Sequence, residues 1–116
     1  MKFPKSIDEI TCQDLIKSVF DLNKLDNEVY NALKQTGKST TNELAKKLHK
    51  ERSTVYRSLQ KLTLCGLCEK QSRKIQTGGY YYIYYIVEIN TALQKVETCV
   101  DNWYNVLKKK IFEFKD

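Results

Sequence analysis

Two helical patterns separated by only three residues, then closed by a glycine and two β-rich runs, constrain this chain more than any other feature. Leu44, Ala45 and Leu48 share one face of a short helix. Val55, Leu59 and Leu62, at spacings of four and three, share one face of a longer helix predicted from about Arg52 to Leu64. The run Ser39-Thr40-Thr41-Asn42-Glu43 opens the first of them with a capping box, if Thr40 is the cap and Glu43 the residue three places on. His49-Lys50-Glu51 leaves room for a turn and nothing else, so the pair reads as a helix-turn-helix.

Gly66 ends the second helix where a left-handed residue is needed. Leu67 to Ser72 then reads as a strand, Arg73 to Gly79 as a basic loop with two glycines, and Tyr80 to Val87 as a second strand rich in aromatic and β-branched residues. A hairpin in this place is a wing. The expected fold class is therefore mainly α with a small β-hairpin (α+β), a winged helix-turn-helix.

The flanks complete one domain in a chain of 116 residues. A first helix is expected from Ser6 to about Phe20, with Ile7, Ile10, Leu15 and Val19 apolar and Asp8 and Glu9 at its start. A second begins at Asp26, buries Val29, Tyr30 and Leu33, and stops at Gly37. The last segment, 90–114, places Leu93, Val96, Val100, Trp103, Leu107, Ile111 and Phe114 on one stripe, close to a heptad over three repeats. A helix of about 25 residues is about 37 Å long at 1.5 Å per residue, more than a small domain is wide. A second copy of the chain is therefore expected to help cover the stripe, in a two-fold dimer. The organisation expected is one domain over 1–116, with a core at 24–88, its wing at 67–87 and a dimerisation helix at 90–114.

Charge is concentrated where the helix-turn-helix and wing lie. Residues 46–76 hold nine Lys and Arg against Glu51 and Glu69, a local +7 in a chain of net +6, so the rest is close to neutral. A polyanion-binding surface needs such a patch, because phosphates neutralised by it release their counterions. A solvated lysine-rich face would carry the same charge, and charge alone does not separate the two.

Other classes fall away. No run of about 18 apolar residues exists, the longest being Tyr80 to Val87, so no membrane helix is expected. The first nine residues lack the apolar core of a secretory leader, and a cytoplasmic, nucleoid-associated protein is expected. Cys12, Cys65, Cys68 and Cys99 then read as thiols. Cys65-Gly66-Leu67-Cys68 has the CxxC spacing of a metal or redox pair, but the other two cysteines are far apart in sequence and no metal site is expected. A redox role for the pair stays open. There is one histidine, His49, and no paired carboxylates, Ser-His-Asp set or phosphate-cradling glycine loop, so neither an enzyme nor a bound cofactor is expected.

The stretches Thr41-Asn42-Glu43-Leu44-Ala45-Lys46-Lys47-Leu48, Arg52-Ser53-Thr54-Val55-Tyr56-Arg57-Ser58-Leu59-Gln60-Lys61-Leu62 and Cys65-Gly66-Leu67-Cys68-Glu69-Lys70 resemble the TrmB-like and MarR-like winged-helix transcription regulators, above all the small archaeal ones. The resemblance runs over about 24–88, and the terminal helix is similar to the dimerisation helix of that group. It implies a homodimer that binds double-stranded DNA, with one helix in the major groove and the wing on the backbone or minor groove. Larger TrmB-like proteins carry a further C-terminal sugar-sensing domain. The chain stops after one helix, so the resemblance implies no effector pocket of that type.

At about 100° per residue, with Val55, Leu59 and Leu62 inward, the outward arc of the longer helix carries Ser53, Arg57 and Gln60, with Thr54, Tyr56 and Lys61 beside it. Arg57 suits a bidentate contact to guanine and Gln60 to adenine, while Ser53 and Thr54 suit bases or phosphate near the helix start. Arg52, Lys61, Lys47 and Lys50 suit phosphates, which fix register without reading sequence. Arg73 and Lys74 suit phosphate or the minor groove from the wing. The tyrosine run at 80–85 is expected to pack rather than to stack bases, one row lining the core. Two other readings of the same basic face remain: an architectural protein that coats DNA with little sequence preference, and a winged helix that docks an acidic protein.

Overall fold

The fold was read from a computed structural model, which describes residues 6–116; Met1–Lys5, part of the stretch considered above for a leader, lies outside the described residues. Residues 22–88 form one compact unit, and the N-terminal segment up to Asp21 forms a second with Ile89–Asp116.

In the first unit, α2 (Lys24–Thr36) starts two residues earlier than expected. Asn23 is its cap, and Asp26 is the third helical residue: Asp26 N–H donates to Asn23 Oδ1 at 2.8 Å and Asn23 N–H to Asp26 Oδ2 at 3.0 Å. Gly37 (φ +84°) ends the helix as expected. A two-residue strand, β1 (Lys38–Ser39), follows; it is too short to have a period and was not foreseen. α3 (Thr41–Leu48) is capped by Thr40, whose Oγ1 accepts from Glu43 N–H at 3.2 Å, but Glu43 returns the contact to the Thr40 hydroxyl rather than to its backbone. Half of the expected capping box is therefore formed. His49, in the left-handed region at φ 55°, makes the turn.

α4 (Arg52–Leu64) buries Val55, Leu59 and Leu62 completely, together with Leu33 and Val29 of α2 and Leu44 of α3. Its end is a Schellman turn. Gly66 N–H donates to Thr63 C=O at 3.0 Å and Leu67 N–H to Leu62 C=O at 2.9 Å, with Gly66 at φ +77° and both leucines fully buried. The chain leaves this turn directly into the wing.

Strands β2 (Cys68–Lys74) and β3 (Tyr80–Ile86) pair antiparallel from Cys68 with Ile86 to Lys74 with Tyr80, and β1 adds to the far side of β3, giving the order β1-β3-β2. The strand runs further than the sequence pattern suggests, so Arg73 and Lys74 are paired strand residues and the loop shortens to Ile75–Gly79. Only Tyr84 of the tyrosine run is buried. Tyr80 and Tyr82, which alternate with it on the same face, are exposed. The hairpin outruns the helices it packs on, so alternation places these side chains towards the helix layer without covering them.

The second unit corrects the first expected helix. A 3-10 turn (Ile7–Glu9) is separated from α1 (Cys12–Val19) by Ile10 and Thr11. Thr11 is extended and forms a full capping box with Asp14, both bonds at 3.1 Å, so the helix restarts there. Ile7 is exposed, whereas Ile16 and Val19 are buried. α5 (Ile89–Phe114) packs on α1 and buries Ala92 and Val96. Leu93 and Trp103 are half-buried, while Val100, Leu107, Ile111 and Phe114 lie exposed along the same stripe.

Candidate nucleic-acid interface

The core positions of α4 decide what its other face presents. With Val55, Leu59 and Leu62 fully buried, the helix turns Arg52, Ser53, Tyr56, Arg57 and Gln60 to solvent, as the helical arc requires, while Thr54 is half-buried. Neither Arg52 nor Arg57 makes an ion pair among the described residues, so both guanidinium groups are available to an anion or a base edge. Gln60 is partly engaged: its Nε2 donates to Tyr56 Oη, one turn earlier, at 3.1 Å. That bond holds the amide and leaves its oxygen without a hydrogen-bond partner among the described residues.

Lys61 is placed differently from the other cations. Its Nζ lies 2.8 Å from Asp26 Oδ2, while Ser58 Oγ donates to Asp26 Oδ1 at 2.8 Å. Asp26 is 2% exposed, so one buried carboxylate ties the start of α2 to α4. Burial alone would raise its pKa, but the hydrogen bonds from Lys61, Ser58 and the Asn23 backbone outweigh it and hold the carboxyl below its ordinary value. The sequence pattern points to neither Asp26 nor Ser58 in this role. A carboxylate at the third position of a capped helix was the available signal for one half of it.

On the wing, Lys74 is exposed opposite Tyr80, and Arg73 is half-buried opposite Tyr81. Lys70 sits with its Nζ 4.5 Å from the centre of the Tyr82 ring, within cation–π range. Between wing and helices runs an open groove of about 530 Å³, walled by Thr40, Thr41 and Asn42 at the start of α3, by Arg52 and Tyr56 of α4, and by Tyr80, Tyr81, Tyr82 and Tyr84 of β3. Tyr84 is the buried floor, and burial raises its phenol pKa. Of this wall only Arg52 and Tyr56 are among the binding residues that the helical arc of α4 points to.

The CxxC pair lies at the hinge between α4 and the wing. Cys68 is buried, with its Sγ 3.2 Å from Thr63 Oγ1, and burial pushes its thiol pKa up, which disfavours the reactive thiolate. Cys12 is exposed. Alkylation of the native protein at neutral pH is expected to modify Cys12 first and Cys68 only on unfolding, read by mass spectrometry over time. Early labelling of Cys68 would show that the hinge opens in the native state.

The family described as the sugar-specific transcriptional regulator TrmB matches residues 16–90, which takes in the whole helix-turn-helix and wing. The chain belongs to the TrmB family. An uncharacterized protein of Methanocaldococcus jannaschii is 32% identical over 108 residues, covering 91% of this chain and 82% of that one. A possible transcriptional regulator from Methanosarcina mazei Go1 has a similar structure, with a TM-score of 0.77 and 27% identity over 100% of this chain and 97% of that one. The fold also extends to a MarR-family protein of Enterococcus faecalis V583, at a TM-score of 0.56 and 17% identity over 97% and 98% of the two chains. These structures agree with the expected winged-helix fold and its long C-terminal helix, and the TrmB match places the chain among DNA-binding transcription regulators. Among the described residues no helix is long and apolar enough to cross a membrane.

Proposed function

We propose that this chain is a homodimeric regulator that recognises a specific double-stranded DNA sequence, laying α4 of each protomer in a major groove with the wing on the adjacent backbone or minor groove. The observation that carries this reading is the outward face of α4: Ser53, Arg57 and Gln60 stand exposed on it, and the Arg57 guanidinium has no acidic partner among the described residues. In this reading Arg57 and Gln60 contact base edges, Ser53, Thr54 and Tyr56 contact bases or phosphate near the helix start, and Arg52, Arg73 and Lys74 neutralise phosphates. Lys61, held by Asp26, keeps a partly exposed side chain and serves first to fix the angle of α4. The exposed stripe of α5 supports the dimer, and a dimer supports a pseudo-palindromic site with half-sites one helical turn apart.

Selection from a random duplex pool at about 50 and 200 mM salt, with sequencing of the retained fraction, tests the reading. Enrichment of a roughly palindromic motif is expected. Salt-sensitive retention without a motif would instead favour an architectural coat, and no retention even at low salt a protein partner. On the enriched site, Arg57→Ala is expected to lower specific affinity by about 1 to 3 kcal/mol and to relax one base position, with unfolding unchanged. An unaltered preference for that site over random DNA would remove Arg57 from the base-reading set.

A further inference from the structure

Two side chains one turn apart on α4 share a hydrogen bond, from Gln60 Nε2 to Tyr56 Oη at 3.1 Å, and they are not equally free. Gln60 is exposed, whereas the Tyr56 ring, 36% exposed, stands in the wall of the groove beside β3. Beneath it the buried Tyr84 phenol, hydrogen-bonded to the Thr41 side chain, lies near enough to interact electrostatically with the Tyr56 phenol. On its other side Gln60 lines a smaller hollow of about 250 Å³ with Thr63, Leu64, Lys70 and Tyr84. The side chains of that hollow leave the amide nitrogen little to bond to. The Lys70 ammonium has no lone pair to accept with, and its Nζ lies over the Tyr82 ring. The Thr63 hydroxyl is engaged with Leu59 C=O at 2.7 Å and Cys68 Sγ at 3.2 Å. The Tyr56 oxygen is thus the acceptor the amide finds, and the wing and α3 hold that oxygen in place.

That bond changes what the amide can read. An amide nitrogen carries two hydrogens and its oxygen accepts, so a free Gln can turn either one N–H with its oxygen, or both N–H, towards a base edge. With one hydrogen spent on Tyr56, Gln60 presents one donor and one acceptor. Adenine offers the complement in the major groove, with N7 to accept and N6 to donate. Guanine offers two acceptors, N7 and O6, and would set its oxygen against that of Gln60. On the DNA-reading face proposed above, on which this rests, we infer that Tyr56 is a positioning residue: its hydroxyl holds the Gln60 amide in the orientation that selects adenine over guanine. Tyr56 thereby acts on the base through Gln60. The hydrogen of its own phenol stays available to a phosphate, so the two parts are compatible.

The test repeats the duplex selection with the full chain, with Tyr56→Phe, with Gln60→Ala and with the two combined. The position that Gln60→Ala relaxes is expected to be adenine in the site the parent selects. Tyr56→Phe keeps the ring and removes the acceptor, so the amide regains its second hydrogen and guanine becomes acceptable. The adenine-over-guanine preference at that one position should fall by about 10-fold, with the other positions and the melting temperature as in the parent. In the Gln60→Ala background the same substitution should change the preference no further, because no amide is left to orient. A merely structural part for Tyr56 would lower the melting temperature or weaken every site alike, and either result with an unchanged base preference overturns the assignment. Guanine at that position in the parent also overturns it, since the phenol would then donate to the amide oxygen. So does a Tyr56→Phe effect that persists without Gln60, which would mean that the phenol touches the base itself. If the parent enriches no motif, the DNA-reading proposal falls and this one with it. If it enriches a motif that Gln60→Ala leaves intact, only the role of Tyr56 falls.

Discussion

Asp26→Ala is expected to destabilise the protein by about 2 to 3 kcal/mol and to lower its melting temperature by about 10 °C. Removing this one carboxylate opens three bonds. The Asn23 N–H at the start of α2 loses its acceptor, the Ser58 hydroxyl is left buried without one, and Lys61 loses its counter-ion. Breaking a buried ion pair typically costs about 3 to 5 kcal/mol, but the Lys61 side chain is 39% exposed and turns to water, so the lower figure applies. Asp26→Asn keeps an acceptor for Ser58 and should cost less. Asp26→Ala with Ser58→Ala should cost less than the sum of the single changes, because it leaves no buried hydroxyl stranded.

The pH dependence has a definite sign. Asp26 has a folded pKa below its ordinary value of 3.8, so its stabilisation is fully present above that value and is lost as the pH falls through the lowered folded one. Urea unfolding of parent and Asp26→Ala should differ most near neutrality and converge in strong acid. Equal stability of the two at pH 7 would mean that the tie between α2 and α4 adds nothing to the fold.

What the sequence disclosed depends on the range over which a signal acts. Val55, Leu59 and Leu62 repeat at helical spacing and came out as the buried face of α4, and Gly66 marked its end because only a left-handed residue closes that turn. Those signals are local and periodic. β1 has only two residues and exists because β3 offers it an edge, so nothing within it announces a strand. Thr11 and Asp14 formed a legible capping box, but the apolar residues on either side suggested a continuous helix through it. Lys74 looked like a loop residue beside the glycines, and cross-strand pairing with Tyr80 made it a strand. The outward arc of α4 was legible because it follows from the core residues of that helix. The exposure of Tyr80 and Tyr82 on β3 was hidden, because alternation gives the face of a side chain but not how far the covering helices reach. The bond from Ser58 to Asp26 spans 32 residues and leaves no mark in either segment.

The largest effect on DNA binding is expected from α5 and not from any residue that touches DNA. Tyr104, Leu107 and Ile111 are 58%, 61% and 57% exposed, and with Val100, Trp103 and Phe114 they fall within about 100° of the helix circumference, in line with the buried Ala92 and Val96. A helix that continues its apolar stripe past the point where its own chain covers it leaves a contiguous apolar surface, which a second copy can bury through a self-complementary contact. Leu107→Asp with Ile111→Asp places two charges in the middle of that surface, where a partner protomer would have to desolvate them. Both positions are exposed in the single chain, so helix content and the stability of residues 22–88 should be retained. Light scattering is expected to give a dimer for the parent and a monomer for the variant. Affinity for the selected palindrome should fall by about 100-fold or more, because two linked recognition helices gain from effective concentration and a single one does not. Binding to an isolated half-site should be unchanged. A parent that is monomeric at concentrations where it binds the palindrome would sink the dimer reading and leave the monomeric interface intact, whereas a variant that stays dimeric would move the contact elsewhere on the chain.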